Sequence, residues 1–278
     1  MNIVKRMQEE KKVRKYEAIV LDYVESGGRM YICTGDYSFY KIVRYALERA
    51  GIEPRSCCGE VGEYDKVVAL AEKFARKSKQ TLVVFLERQI GKQSFVKTLK
   101  VLKKFYGDKV KVIVTSDEIP REEIILIHEV GADNVIVKPI SAKSLIEKIA
   151  FSIKPDNKLQ VLIKRSKQLV EEGNLEDAQK IAEKVMEAKP DSVAGFLLMG
   201  DIYKEQDEFD KAKDMYTSAS KSEDLFIEPL LKLVELAEDT GDTDAKLDYL
   251  SRLDKLSPLN YERKIEIGET YLDQDRME

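Results

Sequence analysis

Two periodicities divide this chain near residue 155, and no single architecture satisfies both. Before that point, short apolar runs alternate with amphipathic stretches, which predicts βα units folded on a parallel sheet. After it the β signal vanishes, and residues recur 68 positions apart: Gly173 and Gly241, Pro190 and Pro258, Gly200 and Gly268, Tyr203 and Tyr271. A fixed repeat implies stacked helical units that each bury a face on the next. Charge changes at the same place. Residues 1–152 hold 28 Lys+Arg against 21 Asp+Glu, a net +7, while the remainder holds 19 against 30, a net −11. An acidic module repels phosphates, which argues against a DNA-binding output. The 278 residues suffice for two ordinary domains.

The first part reads as five βα units. Strands are expected at 30–34, 55–59, 82–86, 110–114 and 135–137. Helices follow at about 38–50 (stopped by Gly51), at 64–76, around Phe95, Leu99 and Leu102, at 120–130 with Pro120 in its first turn, and at about 142–153. An extra helix at 11–25 precedes them, with Val13, Tyr16, Val20 and Tyr23 on one stripe and Ser26-Gly27-Gly28 as its stop. That stripe must be buried on its own domain or on a partner. The joint, Lys154-Pro155-Asp156-Asn157, is too short to act as a free tether, so a narrowly hinged arrangement is expected.

Half of 68 is 34, the period of the tetratricopeptide repeat, and residues 159–278 resemble that family. Repeat one covers about 159–192, with Ala178 and Pro190. Repeat two covers 193–226, with Gly200, Tyr203, Ala212 and Tyr216. Repeat three covers 227–260, with Ala237, Gly241 and Pro258; it is looser, carrying Val234 and Lys246 where small residues are usual. A last helix at about 261–273 is either a solvating cap or the start of a further repeat. The resemblance implies a concave groove lined by the first helix of each repeat. Lys167, Asp201, Lys204, Lys232 and Glu235 are the candidates there, and an acidic groove would favour a basic peptide segment of a protein partner.

Lys138-Pro139 closes an apolar strand just after Gly131-Ala132-Asp133, so the lysine reaches over the strand ends where α/β sheets bind ligands. Together with Thr115 at the end of the fourth strand, this stretch resembles the last third of a response-regulator receiver domain (CheY-like). The resemblance implies a flavodoxin-like sheet of strand order 2-1-3-4-5, an acceptor aspartate ending the third strand, and two acids after the first strand to hold magnesium. Here the third strand reads TLVVFLE over 81–87, so Glu87 stands at the acceptor position. The acidic pair maps to Thr34 and Gly35, with Asp36 one place late, and Val135 occupies the aromatic switch position. One carboxylate is missing from any metal site, Asp36 and Glu87 being the remaining weak candidates. The longer glutamate loses the in-line geometry on which phosphoryl transfer depends. Lys138 is expected to pair with Glu87 or Asp36.

The expected fold is therefore α/β plus all-α: an N-terminal helical extension (1–28), a receiver-like domain (29–155) and a repeat domain (159–278). The expected function is a cytoplasmic bacterial signalling adaptor without catalysis, cofactor or bound metal, binding a protein partner but neither DNA nor membrane, as monomer or homodimer. The alternative is a phosphorylatable response regulator of a two-component phosphorelay, which would need magnesium. A small-molecule enzyme on the same sheet lacks any glycine-rich phosphate loop or nucleophile elbow. No apolar run approaches the roughly 20 residues of a membrane span, and the amino terminus lacks the apolar core of a signal peptide. Cys33, Cys57 and Cys58 are expected in strands as reduced thiols, and His128 on an apolar helix face.

Overall fold

A computed structural model of the protein describes residues 3–154, 158–222 and 227–273. Contacts divide the chain into two units, Met1–Pro155 and Asp156–Glu278. Most of the expected joint, residues 155–157, lies outside the described residues.

The first unit begins with helix α1 (Ile3–Glu25), then strand β1 (Arg29–Cys33), α2 (Tyr37–Arg49), the short α3 (Pro54–Cys57), β2 (Cys58–Val61) and α4 (Tyr64–Lys77). It continues through β3 (Leu82–Glu87), a hairpin of β4 (Gln89–Ile90) and β5 (Gln93–Ser94), α5 (Val96–Tyr106), β6 (Val110–Ser116), α6 (Arg121–Glu129), β7 (Asn134–Val137) and α7 (Ala142–Ile153). Five strands form one parallel sheet in the order β2-β1-β3-β6-β7. Both faces of the sheet are covered, which is why β3 reads as an unbroken apolar run rather than an alternation. Val83 and Phe85 face the layer of α1, α2 and α7; Leu82, Val84 and Leu86 face α4, α5 and α6. The order reverses between β1 and β3, and that switch point opens a crevice at their carboxyl ends.

Tyr16, Val20 and Tyr23 of α1 are buried within this unit, with Tyr16 against the Phe151 ring at 5.3 Å. The Tyr23 hydroxyl donates to the Thr81 carbonyl at 2.8 Å, and its ring lies where a Cβ on Gly28 would be. The stripe thus finds its cover in cis.

Several expectations need correction. The second strand begins three residues late: Pro54 at a first-turn position and the Glu53 side chain capping the Arg55 amide start a turn of helix instead. Cys57 consequently lies in α3, not in a strand. Residues 89–94 form a hairpin turning at Gly91 (φ +60°). The fourth strand runs two residues further than expected, so Thr115 lies inside it. His128 is exposed, because Ile125, Leu126 and Ile127 carry the inward face of α6.

The second unit is helical throughout its described residues. Three antiparallel pairs, α8 (Lys158–Glu171) with α9 (Leu175–Ala188), α10 (Val193–Glu205) with α11 (Phe209–Ser222), and α12 (Glu228–Thr240) with α13 (Thr243–Leu256), are followed by α14 (Tyr261–Asp273). The turns inside the pairs sit at Gly173, Asp207 and Gly241, 34 residues apart, all with positive φ (+74°, +59° and +69°). Asp207 completes a series that only its glycines revealed in the sequence. Among the described residues no helix is long and apolar enough to cross a membrane.

Candidate functional site

The carboxyl ends of β1, β3 and β7 bring Asp36, Glu87 and Lys138 together. Asp36 follows β1 and caps α2, its Oδ1 accepting from the Ser38 and Phe39 amides at 2.9 and 3.3 Å. Its other oxygen, Oδ2, accepts from Lys138 Nζ at 3.0 Å. Glu87 ends β3, and its Oε1 accepts from Lys138 Nζ at 2.8 Å while its Oε2 accepts from the Thr34 hydroxyl. Thr34 stands where the receiver resemblance would put an acid, and it supplies a donor instead. Its oxygen also accepts from the Asp36 amide at 2.8 Å, so the three groups form one connected network. The hydroxyl of Tyr64 fixes the Glu87 backbone by donating to its carbonyl at 2.7 Å.

Burial separates the members. The Lys138 and Glu87 side chains are only 8% and 10% exposed, against 36% for Asp36 and 86% for Asp117, whose Oδ1 lies 3.4 Å from Lys138. Burial on its own would push the Lys138 pKa down, but its hydrogen bonds to Glu87 and Asp36 and their charges outweigh this, and it stands above the ordinary lysine value. Asp36 is likewise pushed up by burial, yet Lys138 and the Phe39 and Ser38 amides hold it below the usual carboxylate range. The Cys33 thiol is raised to about 12, chiefly by burial and then by the Glu87 charge.

Thr115 pairs in register with Glu87 across the sheet. It is fully buried, and its hydroxyl has no hydrogen-bond partner. The structure therefore joins three of the four sequence candidates and leaves Thr115 beside them. Thr34 and Tyr64 were missed. The signal available for Thr34 was its place one residue past an apolar strand, two before Asp36.

In the second unit, α8, α10 and α12 line a cavity of about 230 Å³ bordered by Lys167, Glu171, Asp201, Lys204, Glu205 and Lys232. Each charged candidate here lies in an ion pair within the unit. Lys167 ties α8 to α12 through Glu228 at 3.3 Å, and Lys204 binds Asp239 at 2.6 Å. Lys232 contacts Asp201 at 3.2 Å and Glu235 at 3.3 Å. Asp201 also accepts from the buried Tyr216 hydroxyl at 2.8 Å. Behind the groove, Tyr216 presses its ring on Gly200, where any Cβ would collide with it. Lys246, at the usual small position of repeat three, keeps its ammonium at the surface between Glu238 of α12 and Glu266 of α14.

Residues 169–226 match the tetratricopeptide repeat family model. No curated protein matches the chain. Among solved structures, the type III secretion chaperone SycD of Yersinia enterocolitica, in complex with a peptide of the translocator YopD, is 15% identical, covers 42% of this chain and 94% of its own, and has a TM-score of 0.37. A tetratricopeptide repeat protein of Parabacteroides merdae is 24% identical over 42% of this chain and 47% of its own, with a TM-score of 0.37. A thermophilic TPR protein of Thermus thermophilus is 16% identical over 84% of this chain and 98% of its own, also at 0.37. The family match, together with helix pairs whose turns recur every 34 residues, makes the second unit a helical array of tetratricopeptide type, a protein-interaction module.

Proposed function

We propose that this protein is a non-catalytic signalling adaptor. In this reading the first unit is a flavodoxin-like receiver of the response-regulator kind that has lost phosphate chemistry, and the repeat unit binds a protein partner. The observation that carries it is the state of Glu87. At the end of the third parallel strand, both its carboxylate oxygens are already committed, one to Lys138 and one to Thr34. Glu87 thus holds its carboxylate in internal contacts at the position where a receiver's aspartate would take the phosphoryl group.

A phosphate-accepting receiver would need magnesium at Asp36 and Glu87. The donors do not fit it. Magnesium requires near-octahedral oxygen ligation, whereas the Lys138 ammonium holds one oxygen of each carboxylate and the α2 amides hold the other oxygen of Asp36. Among the described residues no group of three His, Cys, Asp or Glu could share a metal ion.

Three acids and three lysines border the groove, and the lysines there are held by Asp201 and by Glu228, Glu235 and Asp239 beside it. A basic segment entering it would compete with Lys204 and Lys232 for Asp201, Glu235 and Asp239, exchanging internal ion pairs for intermolecular ones. Such binding would weaken with added salt.

The competing reading, a response regulator that still accepts phosphate with Asp36 and Glu87 or Asp117 in rearranged roles, has the unpartnered Thr115 hydroxyl on its side. Incubation with acetyl phosphate and magnesium decides between them. The adaptor reading expects an unchanged intact mass. Stoichiometric addition of about 80 Da, one phosphoryl group, removed by Glu87→Gln, Asp36→Asn or Asp117→Asn, would establish the other.

A further inference from the structure

An apolar stripe runs along the outer face of α14, and the repeat itself shows what such a stripe is built to meet. Positions 34 residues apart should share an environment. Ser166, Gly200 and Val234 are buried at equivalent places on α8, α10 and α12, each in a helix pair completed by a second helix. The Ser166 hydroxyl donates to the Ala178 carbonyl of α9 at 3.0 Å, and Gly200 receives the Tyr216 ring of α11. Gly268 is the fourth member, and a Cβ built there would meet nothing within 4 Å. Its neighbours agree. Val193 and Leu197 of α10 are 9% and 4% exposed, while their counterparts Tyr261 and Ile265 are 72% and 60% exposed, and Leu272 is 63% exposed. The buried face of α14 carries Arg263 and Thr270. Ile267 and Tyr271 are half-buried beside them, and on the exposed side the apolar stripe runs between Glu262, Lys264 and Glu269.

The stripe is complementary to itself. Tyr261, Ile265, Gly268 and Leu272 are spaced four, three and four residues apart, a pattern that reads the same in both directions. Two such helices laid antiparallel place Ile265 of each in the notch at Gly268 of the other, and Tyr261 against Leu272. The same register sets Glu269, which is exposed, opposite Lys264, whose ammonium is held at 2.9 Å by Asp254 of α13 and would be shared with the second copy. Antiparallel packing is also the relation between the two helices of every pair in this array, and a two-fold axis produces it. We infer that α14 is a homodimer interface, the α14 stripe of each copy packing against that of the other.

Sedimentation equilibrium of the 278-residue chain tests this. The expected result is a reversible dimer of about 64 kDa, twice the 31.8 kDa chain, with a dissociation constant in the micromolar range or tighter. Ile265→Glu and Gly268→Leu should each weaken association at least about tenfold while leaving far-ultraviolet circular dichroism unchanged. Glu269→Lys should weaken it, and Lys264→Glu together with Asp254→Asn, which removes the acid that Lys264 holds, should restore it, a rescue that only the antiparallel register supplies. A chain that stays monomeric throughout overturns the inference. So does a dimer indifferent to Ile265→Glu, or a charge swap without rescue.

Discussion

Lys138→Met removes the cation that holds two carboxylates while keeping the length of the side chain. Deleting one member of a fully buried ion pair costs about 3–5 kcal/mol, because the remaining charge is left without compensation. Two features reduce that figure. Glu87 keeps the Thr34 hydroxyl on Oε2, and Asp36, about a third exposed, returns to water. A loss of about 2–4 kcal/mol at neutral pH is expected, the ion pairs to the exposed Asp36 and Asp117 contributing under about 1 kcal/mol of it. In a unit of this size that corresponds to a fall of roughly 5–15 °C in Tm. Scanning calorimetry of the whole chain is the assay, and variants confined to the repeat array identify which transition belongs to which unit. In Lys138→Met with Glu87→Met the buried charge is gone, so the double variant should be more stable than Lys138→Met alone, with a coupling of at least about 1.5 kcal/mol. A cost for Lys138→Met below about 0.5 kcal/mol, or costs that simply add, would refute the view of Glu87 as a charge neutralised from within.

Thr115→Val replaces a buried hydroxyl that has no partner, and should raise first-unit stability by up to about 1 kcal/mol in calorimetry; a loss above that amount would mean the hydroxyl is bonded. Gly200→Val drives a side chain into the Tyr216 ring and should cost the repeat transition about 3 kcal/mol, leaving the other transition in place. Asp207→Gly releases a non-glycine residue from positive φ and should leave the repeat transition unchanged or stabilise it by up to about 1 kcal/mol, measured by urea unfolding. The site also has a pH signature. Asp36 is depressed, so its contribution is complete above the unfolded aspartate value near 3.9 and is lost as pH falls through its lower folded value. Lys138 is raised, so its contribution is complete below the unfolded lysine value near 10.4 and is lost as pH rises through its higher folded value. Unfolding scans should show Lys138→Met losing the alkaline dependence.

What the sequence disclosed and what it hid follow from the range of the forces involved. The five parallel strands and the helix pairs are local periodicities, visible wherever a 2- or 3.6-residue pattern runs uninterrupted. The second strand was misplaced because Pro54 and the Glu53 cap form a helical turn that competes with a weak strand. The 89–94 hairpin carries no alternation to announce it, only Gly91 at its turn. Glu87 and Lys138 could be singled out as strand-end residues. That Thr34 donates to Glu87 depends on neighbouring strands being in register, which no local pattern states. The groove lysines were visible as charges on first helices, whereas their pairing requires α8, α10 and α12 to be stacked, and Lys167 finds its partner two first helices away.

The central claim is that the cluster at the strand ends already satisfies its own charge and has no use for magnesium or a phosphoryl group. Amide-resolved NMR of the chain with and without millimolar magnesium and beryllofluoride, an unreactive phosphoryl mimic, tests it at the residues concerned. The account predicts that the resonances of Asp36, Glu87, Thr115 and Lys138 stay where they are. Saturable shifts centred on those residues, abolished by Asp36→Asn, would contradict it.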